Sequence, residues 1–400
     1  MVMNKKFVII ATVFIDVLGM GIIIPTLPFY VQSFGVSAFV VTLLFGIFAF
    51  FSFFSAPFLG SLSDKIGRRP IMLVSILSTA IGWLVFASAT SIWFLFLGRI
   101  IDGLAAGNFS TAQSYLTDIA KDEAERTKNL GIIGAVFGIA FVIGPGIGGL
   151  LTRVSPTFPF WCVGFLAVLN VINAYFYLPE SHLNKHKDRK ISFNPLTPIL
   201  RIFKDKKMLP GFSVWFLFGL AVAIQQAVFA LYLGKVFSFG SFAAGLFMTG
   251  VGVLIVLNQG FLLPKFWLKK FKERNLEIFM MAVFVIGFIL LSTSILGIFI
   301  AGLIGLTFGQ SILRVLLTSN IVGNNLDRKG EVLGAMASMM SLAMIIGPLM
   351  AGALFVTHDK WPFIISSILS FVAFIILYYN RKAQNNFAPE LETLNDQTII

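Results

Sequence analysis

Asp16, Arg99, Asp102 and Arg314 stand inside long apolar runs of this chain. A charge surrounded by hydrocarbon is costly, so such residues mark a pathway, a relay or a buried pair. Asp16 lies roughly 14 Å into the first run, counting 1.5 Å per helical residue, and so near the middle of a ~30 Å layer. Arg99 and Asp102 are spaced i, i+3, which places them on one helix face. In a fold that brings the first and fourth helices together, one guanidinium cannot fully neutralise both carboxylates at low dielectric. One carboxylate stays ionised, and the other is left to take up and release a proton near neutral pH. Asp16 has no partner in its own helix and is the stronger candidate carrier, with Asp102 the alternative. A static Arg99–Asp102 pair, with Asp16 permanently protonated, accounts for the same residues without any relay. Arg314 lies about five residues from the end of its run, within snorkelling reach of an interface, and reads as an anchor.

The elements that must position these groups follow from composition. Of 400 residues, 57% are hydrophobic and 12% charged, and the mean hydropathy is +0.90. A soluble globule keeps about a quarter of its residues charged. The apolar residues come in runs of about 20, enough to cross a bilayer as helices. The first run, near 7–31, is too long for a cleaved signal and carries Asp16 and two prolines. The single cysteine, Cys162, permits no internal disulfide and, in an apolar run, reads as a small hydrophobe.

Twelve helices are expected, near 7–31, 40–62, 70–88, 92–116, 130–152, 160–178, 211–234, 243–263, 276–294, 296–319, 331–355 and 361–380. The formal net charge of +12 is distributed unevenly. Alternate connections hold 25 basic residues on one side and three, Arg153, Lys235 and Lys360, on the other. That asymmetry predicts both termini in the cytoplasm of an inner-membrane protein. The excess charge orients the chain and meets anionic lipid, so no nucleic-acid partner is expected.

Residues 180–210 form the one long polar interruption, with His182, His186 and eight basic residues. The organisation read from this is a six-helix bundle over 1–179, a cytoplasmic linker over 180–210, a second bundle over 211–382 and a polar, disordered tail over 383–400. Gly144-Pro145 with Gly148-Gly149 is echoed by Gly347-Pro348 with Gly352, and the prolines are 203 residues apart. A duplicated half fits that spacing, as in one large class of transporters.

Between helices 2 and 3 the chain reads Gly60-Ser-Leu62-Ser-Asp64-Lys-Ile-Gly67-Arg68-Arg69-Pro70. This resembles the GxLxDxxGRRP signature of the major facilitator superfamily. Three other stretches resemble its twelve-helix drug:proton antiporter branch. They are Asp16-Val-Leu-Gly19-Met-Gly21 through Pro28, Leu97-Gly98-Arg99 through Gly103, and Gly134, Gly138, Gly144, Pro145, Gly148 and Gly149 in helix 5. The chain departs from the tetracycline exporters in having Gly82 beside Trp83 where they carry an acid, and Asp102 where they carry a small uncharged residue.

The resemblance implies an all-α membrane protein with the major facilitator fold, twelve helices in two pseudo-symmetric bundles. It implies proton coupling through Asp16, Arg99 and Asp102, and a gating loop of Gly60, Asp64, Gly67, Arg68, Arg69 and Asp118. There Asp64 meets the start of helix 11 and Arg68 pairs with Asp118. The helix 5 signature implies export, although close helix packing explains its glycines equally well. Helices 4 and 7 line the cavity of this fold, which makes Gln113, Gln225 and Gln226 candidates for substrate contact. Interhelical hydrogen bonds explain them as often.

The function expected is proton-coupled export of small amphipathic organic compounds, drug or tetracycline-like, by alternating access. The alternative is an importer or exchanger of a metabolite or siderophore. A membrane-embedded enzyme is the distant third, because no HExxH, nucleophile elbow, histidine cluster or phosphate loop occurs. The partners expected are substrate, protons and the lipid bilayer. A monomer with no cofactor and no metal is expected.

Overall fold

The computed structural model describes residues 5–181, 195–197, 199–200, 205, 208–323 and 328–396. The linker histidines, His182 and His186, and most linker cations lie outside the described residues. Among the described residues, twelve helices are long and apolar enough to span a membrane. Helices arise here because a backbone in hydrocarbon must satisfy every N–H and C=O within its own segment.

The first six spans are α1 (Lys5–Gln32), α2 (Ala38–Ile66), α3 (Arg68–Ala87), a broken fourth span, α6 (Glu123–Leu151) and α7 (Phe158–Tyr177). The fourth comprises α4 (Ile92–Leu104) and α5 (Asn108–Asp118) rather than the single helix expected over 92–116. The later spans begin with α8 (Leu209–Phe237) and α9 (Ser241–Leu257), which continues as a π-helix over Asn258–Trp267. They end with α10 (Glu273–Leu291), α11 (Leu296–Gly323), α12 (Lys329–Thr357) and α13 (Trp361–Asp396). The backbone of α13 runs on through residues expected to form a disordered tail, where Ala, Gln, Glu and Leu favour the helix.

Packing divides the chain into two compact units. One holds Met1–Pro195, Gln226–Val253 and Met344–Asp359, and the other Leu196–Gln225, Leu254–Ala343 and Lys360–Ile400. In the first, α1 lies along α6, and α3 packs on both α4 and α7. In the second, α10 packs on both α11 and α13. Spans 3–4 and 3–6 are thus repeated as spans 9–10 and 9–12.

Glycines set both crossings. A Cβ on Gly82 would lie 2.7 Å from the Gly98 carbonyl oxygen, and one on Gly98 would lie 2.6 Å from that of Gly82. In the second unit, a Cβ on Gly302 would lie 3.0 Å from the Gly287 carbonyl oxygen and 2.6 Å from Leu290 Cβ. Backbones this close leave no room for a side chain, which is how small residues drive association where the hydrophobic effect is absent.

Candidate functional site

The break in the fourth span is where chemistry gathers. Three residues at mid-span, Ala105–Gly107, are non-helical; Gly107 is the last of them and Gly103 lies two residues before the first. The carbonyls freed at the end of α4 are met by neighbouring spans. Ser55 Oγ of α2 donates to the Gly103 oxygen at 2.8 Å, and Ser78 Oγ of α3 donates to the Ile101 oxygen. Satisfying each of these groups within the protein lets irregular backbone persist at membrane depth.

Arg99 and Asp102 lie just before the break, on α4. Both are buried, at 6% and 5% exposure. Arg99 Nη1 donates to Asp102 Oδ2 at 3.2 Å, and Arg99 Nε donates to the Leu44 carbonyl at 3.3 Å. The guanidinium also stacks over the rings of Phe48, at 4.2 Å, and Trp83, at 5.0 Å. Asp102 has Thr79 of α3 as a second hydrogen-bonding neighbour. The guanidinium is therefore engaged through Nε, Nη1 and its face, with cation–π contacts adding to the ion pair.

Asp16 of α1 is placed differently. It makes no ion pair with Arg99 among the described residues. Its polar neighbour is Asn108, the first residue of α5, and Asp102 lies within electrostatic reach. Asp16 Oδ1 is buried with no hydrogen-bond partner, and so is Asn108 Oδ1. Two acceptors with no donor among the described residues stand beside the N-terminal end of a half-helix. Arg314 is exposed on α11, away from any such cluster.

Glycines of the first span hold Asp16 in register. A Cβ on Gly144 would lie 2.8 Å from Gly21 Cα, and one on Gly19 would lie 2.9 Å from Val163 Cγ1. Gly148 presses on the Ile22 carbonyl, and a Cβ on Gly149 would lie 2.9 Å from Phe242 Cα of α9. Gly245 faces the Pro145 carbonyl. Gly134 and Gly138 behave otherwise, because a Cβ on either meets nothing within 4 Å.

The loop between α2 and α3 is an ion-pair cluster centred on Arg68, which is 7% exposed. Arg68 Nη1 pairs with Asp64 Oδ1 at 2.5 Å, and Arg68 Nε with Asp118 Oδ2 at 3.0 Å. Ser63 Oγ accepts a further bond from Nη1 at 2.6 Å. Glu180 caps the start of α3, accepting from the backbone N–H of Arg68 at 2.8 Å and of Arg69 at 3.2 Å. Arg69 Nη2 donates to the Tyr175 carbonyl. Gly67 has φ 115 and ψ 158, and its missing Cβ makes room for the Glu180 carboxylate. A Cβ on Gly60 would meet nothing within 4 Å.

Gln113 is half-buried on α5 in the first unit. On α8, buried Gln225 closes one segment of the second unit, and Gln226 opens a segment of the first. A cavity of about 520 Å³ bordered by Leu18, Ile147, Phe158 and Cys162 is apolar and contains none of the predicted residues.

Four features escaped the sequence reading: the broken fourth span, Glu180, the π-helix and Glu277. Glu277 is fully buried on α10, where Asn320 Nδ2 donates to Oε1 at 3.0 Å. Its place at the edge of an apolar run hid it. Gly103 and Gly107, four residues apart, were the available signal for the break.

Comparisons with known proteins agree with this architecture. The chain is 29% identical over 360 residues to the class C tetracycline resistance protein of Escherichia coli, covering 88% of this chain and 90% of that one. It is 27% identical over 387 residues to the quinolone resistance protein NorA of Staphylococcus aureus (strain MSSA476), covering 95% and 97%. Among solved structures, the nucleoside transporter NupG superposes with a TM-score of 0.77 at 16% identity, covering 95% of this chain and 100% of that one. The human organic anion transporter MFSD10 gives 0.68 at 21%, covering 93% and 98%. These relatives and structural neighbours are transporters rather than enzymes. The Major Facilitator Superfamily profile matches residues 9–326 and 266–395, so this twelve-helix chain belongs to that superfamily and is a multi-pass membrane transporter of small molecules.

Proposed function

We propose that the protein couples proton entry to export of small amphipathic organic compounds. It does so as a monomer in the inner membrane, with both termini cytoplasmic. The observation that carries the coupling is the bare Oδ1 of Asp16. A buried acceptor with no donor is satisfied by a proton or a water, and a carboxyl in hydrocarbon readily carries a proton. Arg99 is held by Asp102, Leu44, Phe48 and Trp83, and therefore leaves Asp16 unneutralised. Asp102 stays ionised against the guanidinium. A proton arriving from outside loads Asp16, and its release to the inside completes the cycle.

Export is supported by the helix 5 glycines and by the relatives named for tetracycline and quinolone resistance. Gln113, Gln225 and Gln226 supply polar contacts to the substrate. The Asp64–Arg68–Asp118 cluster gates the cytoplasmic end, pairing in one conformation and re-pairing in the other.

The test is proton release from proteoliposomes on adding a panel of amphipathic compounds, comparing wild type with Asp16→Asn. Substrate-triggered release in wild type that falls to background in the variant is the expected outcome. Equal release from both would place the proton on Asp102 instead. A wild type that accumulates compounds in intact cells would overturn the direction.

A further inference from the structure

The two halves carry corresponding segments at the ends of their second spans, and the second of these is built unlike the first. Gly60-Ser-Leu62-Ser-Asp64 and Gly260-Phe-Leu262-Leu-Pro264 start 200 residues apart. In the first, the cation Arg68 is neutralised by Asp64 and Asp118. In the second, proline stands where the aspartate was. The chain from Asn258 to Asn275 carries five cations, Lys265, Lys269, Lys270, Lys272 and Arg274, against one carboxylate, Glu273. None of the five has an ion-pair partner among the described residues.

Lys265 lies on a bonded helical element, and Lys269 and Lys270 lie on the helical turn that follows it, Leu268–Lys270. Residues Asn258–Trp267 form a π-helix, an uncommon geometry that recurs at functional sites. Buried Asn258 fixes it, with Nδ2 donating to Ser311 Oγ at 2.5 Å and Oδ1 accepting from Trp267 Nε1 at 3.0 Å. Gln259 Nε2 donates to the Ser311 carbonyl at 3.0 Å. The far end of the π-helix is thereby tied to its near end, and the near end to α11.

Apolar surface accompanies the charge. Phe261 is 57% exposed and Phe266 42%. The Lys265 ammonium lies 5.2 Å from the Phe261 ring, and that of Lys270 lies 5.4 Å from the Phe266 ring. Each ammonium sits over an aromatic ring, so charge and exposed apolar surface lie side by side, as in side chains at a lipid–water boundary. A surface for a soluble anion has no use for exposed phenylalanines, whereas a lipid supplies both a phosphate and an acyl chain.

We propose that the π-helix and the turn after it, Asn258–Lys272, form a binding site for the headgroup of an anionic phospholipid. Lys265, Lys269 and Lys270 contact the phosphate, and Phe261 and Phe266 lie against the acyl region. Clusters of four or more cations at the end of a span attract anionic lipid with about fivefold affinity per charge. Here the Asn258 and Gln259 bonds hold the backbone that carries Lys265, with Lys269 and Lys270 in the turn directly after it. The inference stands whatever the substrate or the direction of transport, because its readout is lipid binding.

The test uses the full-length protein in nanodiscs of phosphatidylcholine with about 30 mol% phosphatidylglycerol. A photoactivatable phosphatidylglycerol is crosslinked to wild type, and the labelled peptides are mapped. Labelling concentrated in 258–275 is expected, and labelling spread evenly over the basic loops would overturn the site. Retention of phosphatidylglycerol through detergent exchange is then compared among three proteins. Substituting Lys265, Lys269 and Lys270 together by Gln should lower retention about a hundredfold relative to wild type. The same three residues changed to Arg should keep it. Removing three charges elsewhere, by Lys121→Gln, Arg126→Gln and Lys128→Gln, should leave it unchanged. Equal losses from both neutralised variants would reduce the effect to net charge and refute a site. The crosslinking map on wild type decides the matter even where a neutralised variant fails to insert.

Discussion

Spans 3 and 4 cross through Gly82 and Gly98, and spans 9 and 10 cross through Gly287 and Gly302. The backbone solution is shared, but the side chains around it are not. A Cβ on Gly82 would lie 3.0 Å from Asp102 Cβ, and one on Gly287 would lie 2.9 Å from Leu306 Cβ. Leu303 therefore stands where the first half has Arg99, and Leu306 where it has Asp102. Leu303 and Leu306 are 5% and 2% exposed, as buried as the charged pair. Leucine at this crossing is enough to build the fold. The ion pair is an addition, confined to the half that also breaks its fourth span and leaves Asp16 Oδ1 without a partner. The second half keeps α11 unbroken and uses amides instead, in Asn258, Gln259 and Asn320.

The sharpest way to break this contrast is to copy the second half into the first. Arg99→Leu combined with Asp102→Leu should fold, because replacing a buried ion pair by well-packed apolar residues is often neutral or stabilising by about 1–4 kcal/mol. Substrate-driven proton release should nonetheless fall to background. Coupled transport by that double variant would show that the charge is ornamental. Removing one partner alone should behave differently. Arg99→Ala strands the Asp102 carboxylate in a dry site and should cost about 3–5 kcal/mol, read as a lowered unfolding midpoint in detergent. A midpoint within error of wild type would mean that water already reaches the pair.

A smaller effect separates the two loops. Gly67→Ala forces a β-carbon onto a backbone at φ 115 and into the Glu180 carboxylate, at a cost of about 1–3 kcal/mol. Gly260→Ala meets open space and should change stability by no more than about 0.5 kcal/mol. Comparable losses at both positions would mean that neither the left-handed backbone of Gly67 nor its contact with Glu180 sets the cost.

Much of the architecture was legible because hydrocarbon imposes a harsh filter. Apolar runs give span number and approximate bounds, and the basic residues between them give an orientation to test. The GxLxDxxGRRP stretch pointed to the superfamily that the wider comparison supports. Gly82 illustrates the limit. As a letter it reads as a missing acid, whereas in the fold it is the contact through which spans 3 and 4 meet. Gly134 and Gly144 read alike in the helix 5 signature, yet one meets nothing within 4 Å and the other sits on Gly21.

The sequence by itself determined that twelve helices cross a membrane, because only segments that satisfy their own backbone and shed their charge can do so. It also determined that Arg99 and Asp102 share a face, since that follows from helical periodicity alone. Only the tertiary structure decided that Arg99 is engaged by Leu44, Phe48 and Trp83 as well as by Asp102, and that Asp16 is left with Asn108. The break at Ala105–Gly107 and the cap of Glu180 on Arg68 belong to the same class. These arrangements depend on which neighbouring span offers a hydroxyl, a ring or a carbonyl at close range. Helical periodicity fixes the direction of a side chain about its own axis but carries no information about what stands opposite.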